Sequence, residues 1–319
     1  MSNEGLILAF DTSNYTTSVS VITEGGELLA NFKKLLTVKA GERGLRQSDA
    51  VFAHTVNLPE LLHRAREVIG GRKVVAVGVS ERPRNLEGSY MPCFLVGVAC
   101  AESAAVSLGV PLYRFSHQCG HVMAAVFSSG NKELLRSPFA AFHVSGGTTE
   151  LLRVSYNGGG FVSELLGGTA DLNAGQIVDR VGVYMGLSFP SGREMEELAL
   201  SFDGSVPKRK LSVNGMQANL SGLENIAKKM YDDTSDKALV SAFVFDYIGR
   251  VLTALSEAYE DKYGKSSFVY AGGVMSNSII KGMLSERFDA YFAEPSMSSD
   301  NAVGIAVLTR LAHFGEKIS

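Results

Sequence analysis

The chain has 319 residues, 45% of them hydrophobic, with a formal net charge of −3. That length allows a large core and two lobes, the apolar content excludes a disordered chain, and the charge gives no global basic signature for nucleic acid, leaving only a local basic groove. Cys93, Cys100 and Cys119 are the three cysteines, none in a Cys-x-x-Cys pair, which points to a reducing, cytoplasmic setting without a disulfide framework.

No basic region followed by a long apolar run opens the chain, so no signal peptide is expected. Leu6 to Asp11 is an apolar run, Thr12-Ser13-Asn14-Tyr15-Thr16-Thr17 a polar loop, and Val19 to Ile22 a second strand. Gly25-Gly26 is a turn and Leu28 to Leu35 a third strand, completing a β-meander. Val51 to Val68 reads as a helix ended by Gly70-Gly71, and Val74 to Val79 as a buried strand. Pro92 to Leu108 is a helix closed by Gly109. Its apolar stretch around Phe94 to Val106 carries Glu102 and is too short and mixed to span a bilayer, so no membrane partner is expected. Val110 to Phe115 is a strand that delivers the chain to His117-Gln118-Cys119-Gly120-His121. Residues four apart share one helix face. The two imidazoles can therefore hold one metal ion, or else simply face the core or a neighbour.

The opening pattern returns at Phe139. Ala140 to Phe142 is the apolar run, Ser145-Gly146-Gly147-Thr148-Thr149 the polar loop, Leu151 to Tyr156 a strand, Asn157-Gly158 the turn and Phe161 to Leu166 the third strand. Thr16-Thr17 falls on Thr148-Thr149 and Gly25-Gly26 on Asn157-Gly158 at one offset, which favours duplication over chance. Further on, Lys237 to Tyr263 is a long amphipathic helix ended by Gly264. Phe268 to Ala271 is a strand, Ser276 to Ser285 a helix, Ala290 to Ala293 a strand and Asp300 to Phe314 a final helix. The expectation is an α/β chain with two similar lobes. Residues 1–135 form the first, with the final helix 300–319 packing back on it, and 136–299 the second. The cleft between lobes is the default ligand site.

Four loops have phosphate- or sugar-binding chemistry. Asp11-Thr12-Ser13 follows a buried strand. Val144 leads into Ser145-Gly146-Gly147-Thr148, whose glycines let backbone approach a phosphate while the hydroxyls add donors. Gly272-Gly273-Val274 with Asn277 lies at a strand-to-helix turn where N–H groups meet an anion. Asp171 to Arg180, followed by Phe189-Pro190-Ser191-Gly192, places Asp179 to accept from ribose hydroxyls. Each alone reads equally as a turn, a cap or a surface pair. Together they read as a nucleotide cleft of the actin and sugar-kinase type. The strict Gly-x-Gly-x-x-Gly and Gly-x-x-x-x-Gly-Lys-Ser/Thr motifs are absent. Asp300, in Ser298-Ser299-Asp300-Asn301-Ala302, is the best third ligand for the two His, although a carboxylate there also suits a helix cap. Two His and a carboxylate suit iron(II) or zinc with open positions.

These motifs together resemble the tRNA threonylcarbamoyladenosine transferase family, once labelled O-sialoglycoprotein endopeptidase, from Phe10 to Ile305. His117-x-x-x-His121 and Asp300-Asn301-Ala302 resemble its metal motifs, and Val144-Ser145-Gly146-Gly147 its phosphate loop. Thr169-x-Asp171 to Asp179-Arg180 with Pro190-Ser191-Gly192 resembles its ribose segment, and Leu220-Ser221-Gly222-Leu223 its Phe-Ser-Gly-Leu. Gly272-Gly273-Val274 with Asn277 resembles its Gly-Gly-Val-x-x-Asn. The resemblance implies a duplicated actin-like fold and one divalent metal, Fe or Zn, on His117, His121 and Asp300. It also implies an adenine nucleotide or threonylcarbamoyl-adenylate near Ser145 to Gly147, Asp179, Gly192 and Asn277, with transfer to an adenosine amine in tRNA. As partners it implies tRNA, a smaller actin-like paralogue and a P-loop ATPase, in a homo- or heterodimer.

The chain departs from the family at its acids. The family's Thr-Ser-Cys-Asp-Glu-Thr is Thr12-Ser13-Asn14-Tyr15-Thr16-Thr17 here, its Ser-Gly-Gly-His-Thr is Ser145-Gly146-Gly147-Thr148-Thr149, and its Thr-x-Gly-Pro-Gly-Leu loop is replaced over Ser80 to Tyr90. Its Asp-Asp and Gly-Glu become Asp171-Leu172 and Gly175-Gln176. The expectation is a divergent paralogue that binds its ligands with weak or altered transfer. The alternatives are a catalytically reduced nucleotide-binding partner and, least favoured without a His-Glu-x-x-His, a metallopeptidase. Arg82, Arg84, Lys33, Lys34, Lys39, Arg43 and Arg46, or Lys208-Arg209-Lys210, supply an RNA rim or ordinary solvated charge.

Overall fold

The computed structural model describes residues 4–13, 15–37, 45–294, 297 and 301–315. Asn14 and Asp300 lie outside them, as do Lys39 and Arg43. The chain divides into two compact units: residues 1–137, 155–162 and 299–319 form one, and 138–154 and 163–298 the other.

The first unit is built on five strands: β1 (Leu6–Asp11), β2 (Thr16–Thr23), β3 (Leu28–Leu35), β4 (Val74–Arg82) and β5 (Leu112–Ser116), in spatial order β3-β2-β1-β4-β5. The meander β1-β2-β3 is antiparallel, and β4 and β5 add parallel strands beside β1. β1 is central and buried along its whole length, as its unbroken apolar run requires. Its Leu6, Leu8 and Phe10 join Val77 and Val79 of β4 in a core with Leu58, Leu61 and Ala65 of α1 (Gln47–Ile69) and Ala101 and Ala105 of α2 (Phe94–Leu108). On the opposite face Gly78 of β4 makes room for Thr309 of the last helix (Val303–Phe314). Gly70 and Gly109 close α1 and α2 in the left-handed conformation. α3 (His117–Ser129) starts with no intervening loop after β5, because Ser116 accepts the N–H of Cys119 at 3.2 Å as its N-cap.

The second sheet repeats the plan. β6 (Phe139–Val144), β7 (Thr149–Tyr156), β8 (Phe161–Thr169), β9 (Val213–Asn214), β10 (Gln217–Ala218), β11 (Ser267–Ala271) and β12 (Asp289–Phe292) lie in order β12-β11-β6-β7-β8-β10-β9. Without the short β9–β10 extension this is the first sheet's order with β6, β7, β8, β11 and β12 in place of β1 to β5. Each strand of the second meander begins 133 residues after its counterpart, Leu6 and Phe139, Thr16 and Thr149, Leu28 and Phe161. The duplication is therefore real, but Thr16 corresponds to Thr149, one residue from the register that matching threonine pairs and glycine turns suggests. The turns differ: the left-handed glycine of the first is Gly26 and of the second Gly158. The helices are α4 (Ala174–Tyr184), α5 (Gly192–Leu200), α6 (Ser221–Thr234), α7 (Lys237–Tyr263), α8 (Ser278–Ser285) and, closing the first unit, α9 (Val303–Phe314). α7 is long and apolar enough to cross a membrane, yet it is largely buried as the core helix of this unit, packing Phe243, Ile248, Leu252 and Leu255 against Phe142, Phe268 and Tyr270.

Candidate functional site

In the first unit the polar chemistry gathers at the C-terminal ends of three adjacent parallel strands, where open α/β sheets bind ligands. β1 ends at Asp11, β4 carries Ser80 near its end, and β5 runs directly into His117. Asp11, Ser13, Ser80, His117 and His121 are all buried. Asp11 Oδ2 stands 2.7 Å from His117 Nδ1, and Asp11 Oδ1 accepts from Ser13 N–H and Ser80 Oγ–H, each at 2.8 Å. The two imidazoles of α3 turn their Nε2 atoms toward each other at 2.9 Å. Cys119, two residues along α3, belongs to a different face. Asn85 Nδ2 lies 3.2 Å from its Sγ, and burial pushes the thiol up, against a thiolate ligand. Among the described residues no group of three His, Cys, Asp or Glu could hold a metal ion. Four residues beyond Asp300, Gly304 of α9 meets α3 at Gly120, next to His121; a Cβ on Gly304 would overlap the Gly120 carbonyl.

Thr12 is engaged within this unit: its hydroxyl donates to Cys93 O at 2.9 Å and accepts from Gly97 N–H at 3.0 Å, fastening the start of α2. Ser13 Oγ is buried with no hydrogen-bond partner among the described residues.

In the second unit the corresponding strand ends carry the other expected loops. Ser145 to Thr148 joins β6 to β7 as a tight hairpin in which Ser145 N–H donates to Thr148 O at 2.8 Å. Ser145 Oγ accepts from Gly147 and Thr148 N–H, each at 3.2 Å, and Thr148 Oγ1 lies 2.9 Å from Ser145 Oγ and 3.1 Å from His143 Nδ1. Gly146 and Gly147 have no positive φ, and a Cβ on either would meet nothing within 4 Å. Neither packing nor backbone strain demands glycine there, so what the pair supplies is bare backbone beside open space. Gly272, at the end of β11, is required sterically: its φ is +99° and a Cβ would run into Val144 O of the neighbouring strand. Gly273 faces open space. Asn277 caps α8, its Oδ1 accepting Ile280 N–H at 3.0 Å, while its buried Nδ2 has no hydrogen-bond partner among the described residues.

The segment from Asp171 to Arg180 is not a continuous loop. Its second half is α4, because Gln176 Oε1 reaches back 3.1 Å to Asn173 N–H at the helix start. Gly175 abuts the Ser145 hairpin, where a Cβ would come 2.6 Å from Gly146 N. Asp179, one helical turn on, shares that face and accepts Ser191 N–H at 2.9 Å, beside Gly192 at the start of α5. Asp171 instead holds the start of α6, accepting from Leu220 N–H at 2.8 Å and Ser221 N–H at 3.0 Å. Ser80 and His143 were not legible as site residues. His143 is a lone polar residue in an apolar strand and Ser80 the first of the polar run that ends β4, and only the pairing that brings them to Thr148 and Asp11 reveals them.

Two α/β units with one strand order make a duplicated fold of the actin-like, sugar-kinase-like (ASKHA) class. Component A of the Acidaminococcus fermentans (R)-2-hydroxyglutaryl-CoA dehydratase matches it with a TM-score of 0.55 over 96% of this chain and 98% of that one, at 15% identity. A ROK family glucokinase from Streptomyces griseus, solved with glucose and AMPPNP, matches with 0.53 over 96% and 99%, also at 15%. At such identity the likeness is one of fold. Sequence is more specific: the model of the tRNA N6-adenosine threonylcarbamoyltransferase (TsaD) family matches residues 28–307. The tRNA N6-adenosine threonylcarbamoyltransferase of Neorickettsia sennetsu is 30% identical over 95% of this chain and 92% of its own length, and that of Streptococcus pneumoniae (strain Taiwan19F-14) 32% over 87% and 82%. The chain belongs to the tRNA N6-adenosine threonylcarbamoyltransferase family.

Proposed function

We propose that the chain moves a threonylcarbamoyl group from an adenylate to the amino group of an adenosine in tRNA, with one divalent metal on His117, His121 and Asp300. The observation that carries this is the facing pair of Nε2 atoms. The Nε2 atoms of His117 and His121 converge to 2.9 Å, so both would serve as ligands to a single ion seated between them. The close meeting of Gly120 and Gly304 supports Asp300 as third ligand, since it brings the helix that follows Asp300 against the histidine turn. Iron(II) or zinc suits that donor set; when bound it polarises the carbamoyl carbonyl as a Lewis acid.

The chain's own residues hold the donor. Gly146 and Gly147 leave backbone open to phosphate, the idle amide of Asn277 offers two protons, and Asp179 accepts from ribose hydroxyls. The adenosine amine attacks the carbamoyl carbon, the bond to the adenylate phosphate breaks, AMP leaves with that bonding pair, and the proton lost from the amine passes to the departing phosphate or to solvent. From the family resemblance we further propose a smaller actin-like paralogue and a P-loop ATPase as partners. The second reading, a nucleotide-binding partner with reduced catalysis, is favoured by one feature: Thr148 is engaged with Ser145 and His143 where the family carries a histidine. Complementation of a strain lacking the standard enzyme separates the two, scored by the modified nucleoside in digested tRNA. Low but measurable modification is expected; none, with nucleotide still bound by the purified chain, would favour the partner reading.

A further inference from the structure

The carboxylate that opens the first loop, Asp11, faces His117 of α3 at 2.7 Å. We propose that Asp11 is a positioning residue for the metal centre, fixing the tautomer and orientation of His117; this rests on the metal reading above. Asp11 Oδ2 and His117 Nδ1 stand 2.7 Å apart with a proton between them; with that proton on Nδ1, the neutral ring carries its lone pair on Nε2. Nε2 is the nitrogen that faces His121. Asp11 is 1% exposed. Its other oxygen is gripped from two directions, by Ser13 N–H and by Ser80 Oγ–H, each at 2.8 Å. The carboxylate is thus locked between the first loop and β4, and it locks the ring in turn. Outer-shell carboxylates of this kind orient metal-ligating histidines, and their removal typically costs about 10–100-fold in metal affinity.

An amide at position 11 cannot satisfy this site. It must turn its NH2 either on Ser13 N–H, a donor, or on His117, which then places its lone pair on Nδ1 and a proton on Nε2. The test uses Co(II) as probe on the chelator-stripped full chain, with affinity from chelator competition, the cobalt absorption spectrum as signature, and calorimetry with ADP in the absence of metal. Asp11→Asn is expected to weaken Co(II) binding about 10–100-fold and to alter the spectrum while ADP binding stays as in the wild type. Ser80→Ala, which frees one carboxylate oxygen without removing its charge, is expected to weaken Co(II) only a few-fold and keeps the test open if Asp11→Asn does not fold. Wild-type Co(II) affinity in both variants overturns the proposal, as does loss of ADP binding with Co(II) unchanged. His121→Ala separates the two levels: if it retains Co(II), or the wild type binds none, the metal reading falls and this proposal with it.

Discussion

At Asp179, burial and a backbone donor pull in opposite directions. Burial pushes the carboxyl above its ordinary value and the Ser191 N–H offsets this only in part. A carboxyl whose folded value lies above its unfolded one is ionised at a cost once pH rises past the unfolded value. Asp179→Asn is therefore expected to melt higher than the wild type at neutral pH, with the gap closing as pH falls through the carboxylate range, and to bind ATP or ADP more weakly by calorimetry. Asp171 is the opposite case. Burial alone would raise it, but donors from Ser221, Leu220 and Leu172 outweigh burial and hold it below the usual value. Its contribution is present above the unfolded value and fades as pH falls through the folded one. Asp171→Ala should lower the melting temperature at neutral pH, with the difference shrinking in acid. At the metal pair, His121→Ala should lower metal content, measured by elemental analysis of the purified protein.

Among the elements, glycines separate scaffold from site. Gly272→Ala forces a side chain into a left-handed position against Val144 O and is expected to destabilise by about 1–3 kcal/mol in denaturant melts. Gly146→Ala and Gly147→Ala meet open space, so stability should stay within roughly 0.5 kcal/mol while affinity for an adenine nucleotide drops. A loss of fold in these two, or unchanged binding, would remove the hairpin from the phosphate site. Most elements were legible from their punctuation: α7 runs from its Asp236 cap to Gly264 as the pattern dictates, and both meanders appear where the apolar runs lie. α4 was not, because Asn173-Ala174-Gly175-Gln176 reads as a polar, glycine-bearing loop. The capping relation of Asn173 and Gln176 was its sequence signal. α6 was legible too, from Leu223, Ile226, Ala227, Met230 and Tyr231 at helical spacing, although the Leu220-Ser221-Gly222-Leu223 motif masked it, and β9–β10 are too short for a period.

For the molecule as a whole, one scaffold has been used twice with different chemistry at corresponding strand ends. Asp11 closes β1 and holds a histidine; Val144 closes β6 and leads into a bare glycine hairpin. The histidine pair, the hairpin and the Gly272 turn were visible in sequence as local motifs. The role of Asp11 was not, since it depends on β5 delivering His117 beside β1 and β4 across more than a hundred residues of chain. Asn14 and Tyr15 stand where the family resemblance expects acids, and Thr148 where it expects a histidine. General acid–base help is worth about 10²–10⁴-fold, so transfer is expected to be slow rather than absent. The most direct measurement gives purified, metal-loaded chain a synthetic threonylcarbamoyl-adenylate and unmodified tRNA, then quantifies the modified nucleoside by mass spectrometry. Slow formation by the wild type, abolished in His121→Ala, is the result predicted. No product from a chain that binds both metal and nucleotide, or equal product from His121→Ala, would contradict it.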